Sequence, residues 1–217
     1  MLLFNCSAVL FDLDGVLVDS TRSVERQYRR WSGENGLDPA KVLQISHGVR
    51  AVEVVRAMAP HLNAEEETRK IEQWEANDHD GVRVMPGAAE LVNALPLDRW
   101  CVVTSGTRKL ATTRLTWAGI PIPHVFVTAD DVSKGKPDPA PYLMGASLLG
   151  FPAQRCLVIE DAPAGIKSAH AGGMKVIALS STFPQDKLRE ADAIVSRLAQ
   201  IQTSVTRWDE IRITVSD

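Results

Sequence analysis

Apolar and polar positions alternate in three different rhythms along the chain. Ala8-Val9-Leu10-Phe11 is an unbroken apolar run, the pattern of a strand buried on both faces. It stops abruptly at Asp12, Leu13, Asp14 and Gly15. From about Thr21 to Gly81 the rhythm becomes helical: Val24, Tyr28 and Trp31, then Ile45, Val52, Val55 and Met58, then Ile71 and Trp74 recur among many charges. Gly33, Gly36-Leu37-Asp38-Pro39, His47-Gly48 and Pro60 punctuate this stretch. It predicts a small all-helical module of about four helices.

After Arg83 the rhythm changes again. Helices are predicted over Ala88–Leu95, Thr107–Ala118, Pro139–Leu149 and Ala162–Ala171. Strands are predicted over Trp100–Thr104, His124–Thr128, Arg155–Ile159, Lys175–Leu179 and Ala193–Val195. Strand and helix alternate, which argues an α/β fold with a parallel sheet covered by helices. The first apolar run belongs to that sheet, so the helical module is an insertion after the first strand. The alternating tail Ile211–Val215 is read as an added edge strand.

Composition narrows the function. The chain has 217 residues, is 45% hydrophobic and 24% charged, and carries a net charge of -3. That balance makes no general case for nucleic acid, and an anionic ligand needs a local positive site. Cys6, Cys101 and Cys156 are few, odd in number and each placed at the start of a predicted strand. They read as small buried hydrophobes in a reducing compartment. Without a membrane-length apolar stretch or a basic leader, the expected location is the cytoplasm.

Ligands of an open parallel sheet bind beyond the carboxyl ends of its strands. The polar residues there form a short set: Asp12 and Asp14; Thr104, Ser105 and Gly106; Lys134, Gly135, Lys136 and Pro137; Glu160 and Asp161. Paired carboxylates ending a buried strand are costly without a cation beside them. Asp12, Asp14 and Asp161 offer the hard oxygens that Mg²⁺ takes. Ser105 and the N–H groups near Gly106 suit an anion, and Lys136 neutralises phosphate or holds Asp12 ionised. Each set also has a plainer reading: turn chemistry for the aspartates, helix capping for Ser105 and for Glu160-Asp161, a solvated loop charge for Lys136.

Taken together, F-D-L-D-G-V-L-V-D-S, V-V-T-S-G, K-G-K-P-D-P and V-I-E-D-A-P-A-G resemble the four motifs of the haloacid dehalogenase superfamily of phosphatases, in order and spacing, over roughly Ala8 to Leu198. I-S-H-G-V-R, V-T-S-G-T-R and T-A-D-D-V-S-K-G-K-P-D-P-A-P-Y-L are similar to the subgroup acting on glycerol phosphate and 2-deoxyglucose-6-phosphate, and to bacterial sugar phosphatases. The resemblance implies a Rossmann-like core over 1–18 and 84–217 and a helical cap over 19–83, hinged near Val18-Asp19 and Arg83-Val84-Met85. It implies that Asp12 is the nucleophile and Asp14 the general acid and base. Mg²⁺ is then held by Asp12, Asp161 and the Asp14 backbone carbonyl. Glu160 orients a metal-bound water or Lys136 from outside the ligand set. Ser105, Gly106 and Lys136 bind phosphate, while His47 and Arg50 face the substrate from the cap, with capping, surface or structural roles as the alternatives.

The implied activity is hydrolysis of a small sugar or polyol phosphate monoester through an aspartyl-phosphate. A phosphomutase acting on β-glucose-1-phosphate shares the same motifs and stands as the alternative. A haloacid dehalogenase, which needs no Mg²⁺, and a non-catalytic binding protein on the same scaffold fit less well. The expected partner is a small phosphorylated metabolite, not nucleic acid or membrane. The oligomeric state stays open and is compatible with a monomer.

Overall fold

A computed structural model of the chain describes residues 1–206 and 210–216. Its centre is a six-stranded parallel sheet built from β2 (Ala8–Phe11), β5 (Trp100–Val103), β6 (Val125–Val127), β7 (Cys156–Glu160), β8 (Lys175–Leu179) and β9 (Ala193–Val195). The order is β6-β5-β2-β7-β8-β9. The chain therefore runs outward on one side of β2, returns, and continues outward on the other side. This reversal places the topological switch point at the carboxyl end of β2, where open α/β sheets bind ligands.

The unbroken apolar run of β2 is explained by cover on both faces. Val9 and Phe11 pack on one side with Leu91, Ala111 and Leu115. Ala8 and Leu10 pack on the other with Tyr142, Ala146 and Ile166. These partners come from α5 (Ala88–Asn93) and α6 (Arg108–Ala118) on the first face, and from α7 (Ala140–Leu149) and α8 (Pro163–Ala171) on the second. Alternate residues of a strand point to opposite faces, so a strand sandwiched this way has no position left for a polar side chain until its end.

The helical insertion consists of α1 (Thr21–Glu34), α2 (Pro39–Ser46), α3 (Ala51–Met58) and α4 (Ala64–Asn77). Asp38 caps α2 by accepting from the Ala40 N–H at 2.9 Å, with Pro39 in the first turn. Asn63 caps α4 by accepting from the Glu66 N–H at 3.2 Å. The insertion has its own core of Val24, Tyr28, Trp31, Val42, Val54, Val55 and Ile71. Both crossings into the sheet lie side by side: β3 (Val18–Asp19) and β4 (Arg83–Val84) pair antiparallel, Val18 against Val84 and Asp19 against Arg83.

The expected edge strand needs correction. β11 (Ile211–Val215) is the middle strand of a separate antiparallel sheet, between β1 (Leu2–Cys6) and β10 (Ile201–Val205). β1 is buried only at Phe4 and Cys6, the alternation of a half-covered strand. That alternation is masked because Ser7 alone separates β1 from the apolar run of β2. Cys6 accordingly closes β1 and does not open a strand, while Cys156 opens β7. All three cysteines are buried free thiols. Burial pushes Cys6 up to about 12 and Cys156 up to about 11, so they stay protonated and inert.

Trp31 is fully buried in the insertion and its indole N–H donates to Glu67 Oε2 at 2.9 Å. Trp31→Ala removes that core and strands the Glu67 partner, a loss of about 3–5 kcal/mol. Hydrogen exchange should show protection lost across α1–α4 and kept in β2, β5 and β7; uniform loss throughout the sheet would refute an independent insertion core.

Candidate active site

The three central strands deliver their charged residues to one point. Asp12 follows β2, Thr104 and Ser105 follow β5, and Glu160 ends β7 with Asp161 next. Lys136 reaches this point from the loop before α7. It is 1% exposed, and its Nζ donates to Asp12 Oδ1 at 2.5 Å, to Glu160 Oε1 at 2.7 Å and to the Val103 carbonyl at 3.0 Å. It is not a solvated loop charge. Burial works against its charge, and Asp12 and Glu160 more than offset this, so its pKa is raised.

Glu160 has no free lone pair to spare. Oε1 accepts from Lys136 and from the Tyr142 hydroxyl at 2.9 Å. Oε2 accepts from the backbone N–H groups of Asp161 at 2.9 Å and Ala162 at 3.0 Å. Glu160 is the anchor of Lys136. The space for its carboxylate is left by Gly165, where a Cβ would lie 1.7 Å from Glu160 Oε1.

Asp12, Glu160 and Asp161 bring one carboxylate oxygen each within 4.8 Å of one another. Burial raises Asp12 to about 7 against the pull of Lys136, with Glu160 and Asp14 adding to the rise. Burial also raises Asp161 strongly, Glu160 and Asp12 adding to it; Thr182 is its hydrogen-bonding side-chain partner. No salt bridge reaches Asp161 among the described residues. One lysine cannot neutralise three buried carboxylates, so the donor set fits a divalent cation taking oxygen ligands. With Glu160 saturated, Asp12 and Asp161 are the carboxylates able to hold it. Gly15 lets them approach: its φ is +79° and a Cβ there would meet Asp161 Oδ2 at 2.0 Å.

Asp14 is held differently. Its Oδ1 accepts from the Ser20 hydroxyl at 2.6 Å and its Oδ2 from Arg114 Nη1 at 2.8 Å. Ser20 stands at the N-cap position of α1 yet caps nothing; its hydroxyl serves Asp14. Arg114 Nη2 donates onward to Glu75 Oε2 of α4 at 3.0 Å. Burial works against the Arg114 charge, and Asp14 and Glu75 outweigh it. Arg114 thus ties Asp14 to the insertion.

Asp12, Asp14, Ser105, Gly106, His47 and Arg114 all line one cavity between sheet and insertion. Ser105 is not a helix cap, since Thr107 holds that position on α6. Its hydroxyl donates to the Gly48 carbonyl of the insertion at 2.9 Å, and the Gly106 N–H donates to Thr104 Oγ1 at 3.2 Å. His47 stands against Phe183 with ring centroids 6.1 Å apart. Burial lowers its pKa, against Glu25 and Asp14, which favours the neutral ring. Arg50 is not among the residues lining that cavity. Its guanidinium donates to the Val132 and Ser133 carbonyls at 2.9 Å each and to Glu53 at 2.6 Å, while Glu53 accepts from the Gly135 N–H at 3.2 Å. In this closed arrangement Arg50 fastens the insertion to the loop carrying Lys136.

Sequence reasoning did not single out Arg114, Glu72 and Glu75. A signal existed: Leu110, Ala111, Arg114 and Leu115 form the buried stripe of α6, and Glu67, Ile71 and Glu75 that of α4. A charge on an apolar stripe needs a buried partner, and here Arg114 and Glu75 are partners for each other.

With this geometry in view, the comparisons are direct. The model of the haloacid dehalogenase-like hydrolases matches residues 9–179, and the chain belongs to that family. It is 43% identical over 201 residues to hexitol phosphatase A of Escherichia coli (strain K12), covering 90% of this chain and 93% of that one. It is 36% identical over 227 residues to glycerol-1-phosphate phosphohydrolase 2 of Saccharomyces cerevisiae, covering 97% and 91%. A crystal structure of a hydrolase from Pseudomonas syringae superposes with a TM-score of 0.81 at 26% identity, covering 89% of this chain and 94% of that one.

Gly165→Ala tests the Glu160 anchor. The added Cβ displaces a buried carboxylate from four hydrogen bonds and costs about 3–5 kcal/mol. The melting temperature should fall by several degrees; an unchanged value would show that Glu160 has an alternative seat.

Proposed function

We propose that this chain is a Mg²⁺-dependent phosphatase that hydrolyses a small sugar or polyol phosphate monoester through an aspartyl-phosphate. The observation that carries the reading is the pair Asp12 and Asp14 on one cavity, the first beside a buried lysine, the second in a separate hydrogen-bond set. The relatives named above, phosphatases of a hexitol phosphate and of glycerol-1-phosphate by their names, support the substrate class. Free buried thiols fit a reducing, cytoplasmic setting, and no helix among the described residues is long and apolar enough to cross a membrane.

In this reading the Asp12 carboxylate attacks phosphorus and the bond from phosphorus to the alcohol oxygen breaks. Asp14 passes a proton to the departing alkoxide. Water then attacks the aspartyl-phosphate, Asp14 takes back a proton from it, and inorganic phosphate leaves with Asp12 restored. The Asp12 and Asp161 carboxylates and the Asp14 carbonyl would hold Mg²⁺, which would supply positive charge to the phosphoryl oxygens. Lys136 supplies more, and Glu160 holds it in place. Ser105 and Gly106 exchange their present protein acceptors for phosphoryl oxygens. The insertion over 19–83 acts as a cap that excludes water from transfer, swinging on the paired strands β3 and β4, with His47 facing substrate and Arg50 fastening the closed state.

Phosphate release across a panel of phosphorylated metabolites is the direct test. Asp12→Asn should lower turnover by at least about a thousandfold with an unchanged circular dichroism spectrum. Removal of Mg²⁺ by a chelator should abolish release, and added Mg²⁺ should restore it. Full activity of Asp12→Asn would refute the nucleophile. An isomeric sugar phosphate formed without inorganic phosphate would favour the phosphomutase.

A further inference from the structure

The wall of the cavity facing Asp12 and Asp14 is acidic. Glu72 and Glu75, one turn apart on α4, line it together with Tyr28. Glu75 is committed to Arg114. Glu72 has no salt bridge among the described residues; burial pushes it up to about 7, Glu75 adding to the rise, while the Thr107 hydroxyl hydrogen-bonds it. Tyr28 keeps its proton, held there by burial with Glu75 and Glu72 reinforcing it.

The cation that lines this cavity is already engaged. Arg114 is spent on Asp14 and Glu75, and burial favours the neutral His47 ring. Arg50 is turned to the Val132 and Ser133 carbonyls. Arg69 and Lys109 line a separate cleft that Glu72 also borders. One donor remains unused: Arg114 Nε is buried without a partner among the described residues.

We infer that Glu72 is a specificity-determining residue, which accepts hydrogen bonds from the hydroxyls of an uncharged polyol or sugar tail and rejects substrates carrying a second negative charge in the cavity. This rests on the phosphatase reading and deepens it. A carboxylate is a strong acceptor for a hydroxyl donor. In its ionised form, above that raised pKa, the same carboxylate beside a second anion is a like-charge contact, a common basis of discrimination between otherwise similar ligands. Tyr28 offers a further polar atom of the kind a polyhydroxylated tail can satisfy. The phosphoryl end is served by Lys136 and the divalent cation, so one anionic group is welcome and a second is not.

Sorbitol 6-phosphate and 6-phosphogluconate isolate the effect, since a hydroxymethyl group in one is a carboxylate in the other. The full chain with Mg²⁺ should favour the neutral compound by at least about tenfold in kcat/KM. Glu72→Gln should shrink that ratio several-fold, through a lower KM for the acid, and Glu72→Lys should reverse it. A Glu72 role confined to structure would lower both substrates equally and leave the ratio unchanged, which would overturn the inference. A chain that hydrolyses p-nitrophenyl phosphate but treats the two sugar compounds alike, or hydrolyses neither, overturns this inference alone. A chain inactive on all three overturns the phosphatase reading and this one with it.

Discussion

Everything at the centre of this molecule depends on one ammonium group placed where water cannot reach it. Lys136 lies between Asp12 and Glu160 with its third hydrogen bond on the Val103 carbonyl. An isolated charge so deeply buried would cost several kcal/mol. Two anions and a carbonyl on three adjacent strands remove that cost, and in exchange they fix where those strands must end. Tyr142 and the two N–H groups beyond β7 complete the arrangement by saturating Glu160. The remaining imbalance falls on Asp12 and Asp161, the two groups whose carboxylates a divalent cation would suit.

A second charge system links the parts. Arg114 spans from Asp14 to Glu75 and so from the sheet to the insertion. Ser105 with Gly48, and Arg50 with the Val132 and Ser133 carbonyls, make the same journey. Ser105 and Arg114 thus hold the insertion to the sheet, and the partner of Arg114 on the insertion side is Glu75, the carboxylate neighbour of Glu72.

The sheet and its polar rim were legible because two independent patterns agree there. A strand covered on both faces admits no polar side chain, so Asp12, Glu160 and Asp161 stand out at the point where cover ends. Lys136 was legible by company, not by its own surroundings, since a lysine before a proline in a loop usually faces water. Arg114 and Glu75 escaped notice because their charges occupy positions that helical periodicity assigns to apolar side chains, and only a fold shows that two such residues on distant helices meet. Arg50 escaped in the opposite way: the motif around it suggested a ligand contact, whereas the backbone carbonyls of the Lys136 loop take up its donors. The small sheet of β1, β10 and β11 was obscured because β1 merges into the apolar run of β2, and pairing between chain ends leaves no local trace.

The paired strands β3 and β4 have a consequence for how such a chain can change. The insertion leaves and re-enters the sheet at neighbouring residues, Val18 against Val84 and Asp19 against Arg83. The distance its two ends must span is thus independent of what lies between them. Loop closure varies only slowly with the length enclosed, so helices of other lengths and linings can be hung on the same two strands without disturbing β2 or Lys136. The insertion and the strand ends that gather around Lys136 thus lie on separable stretches of chain, and one can drift while the other stands still.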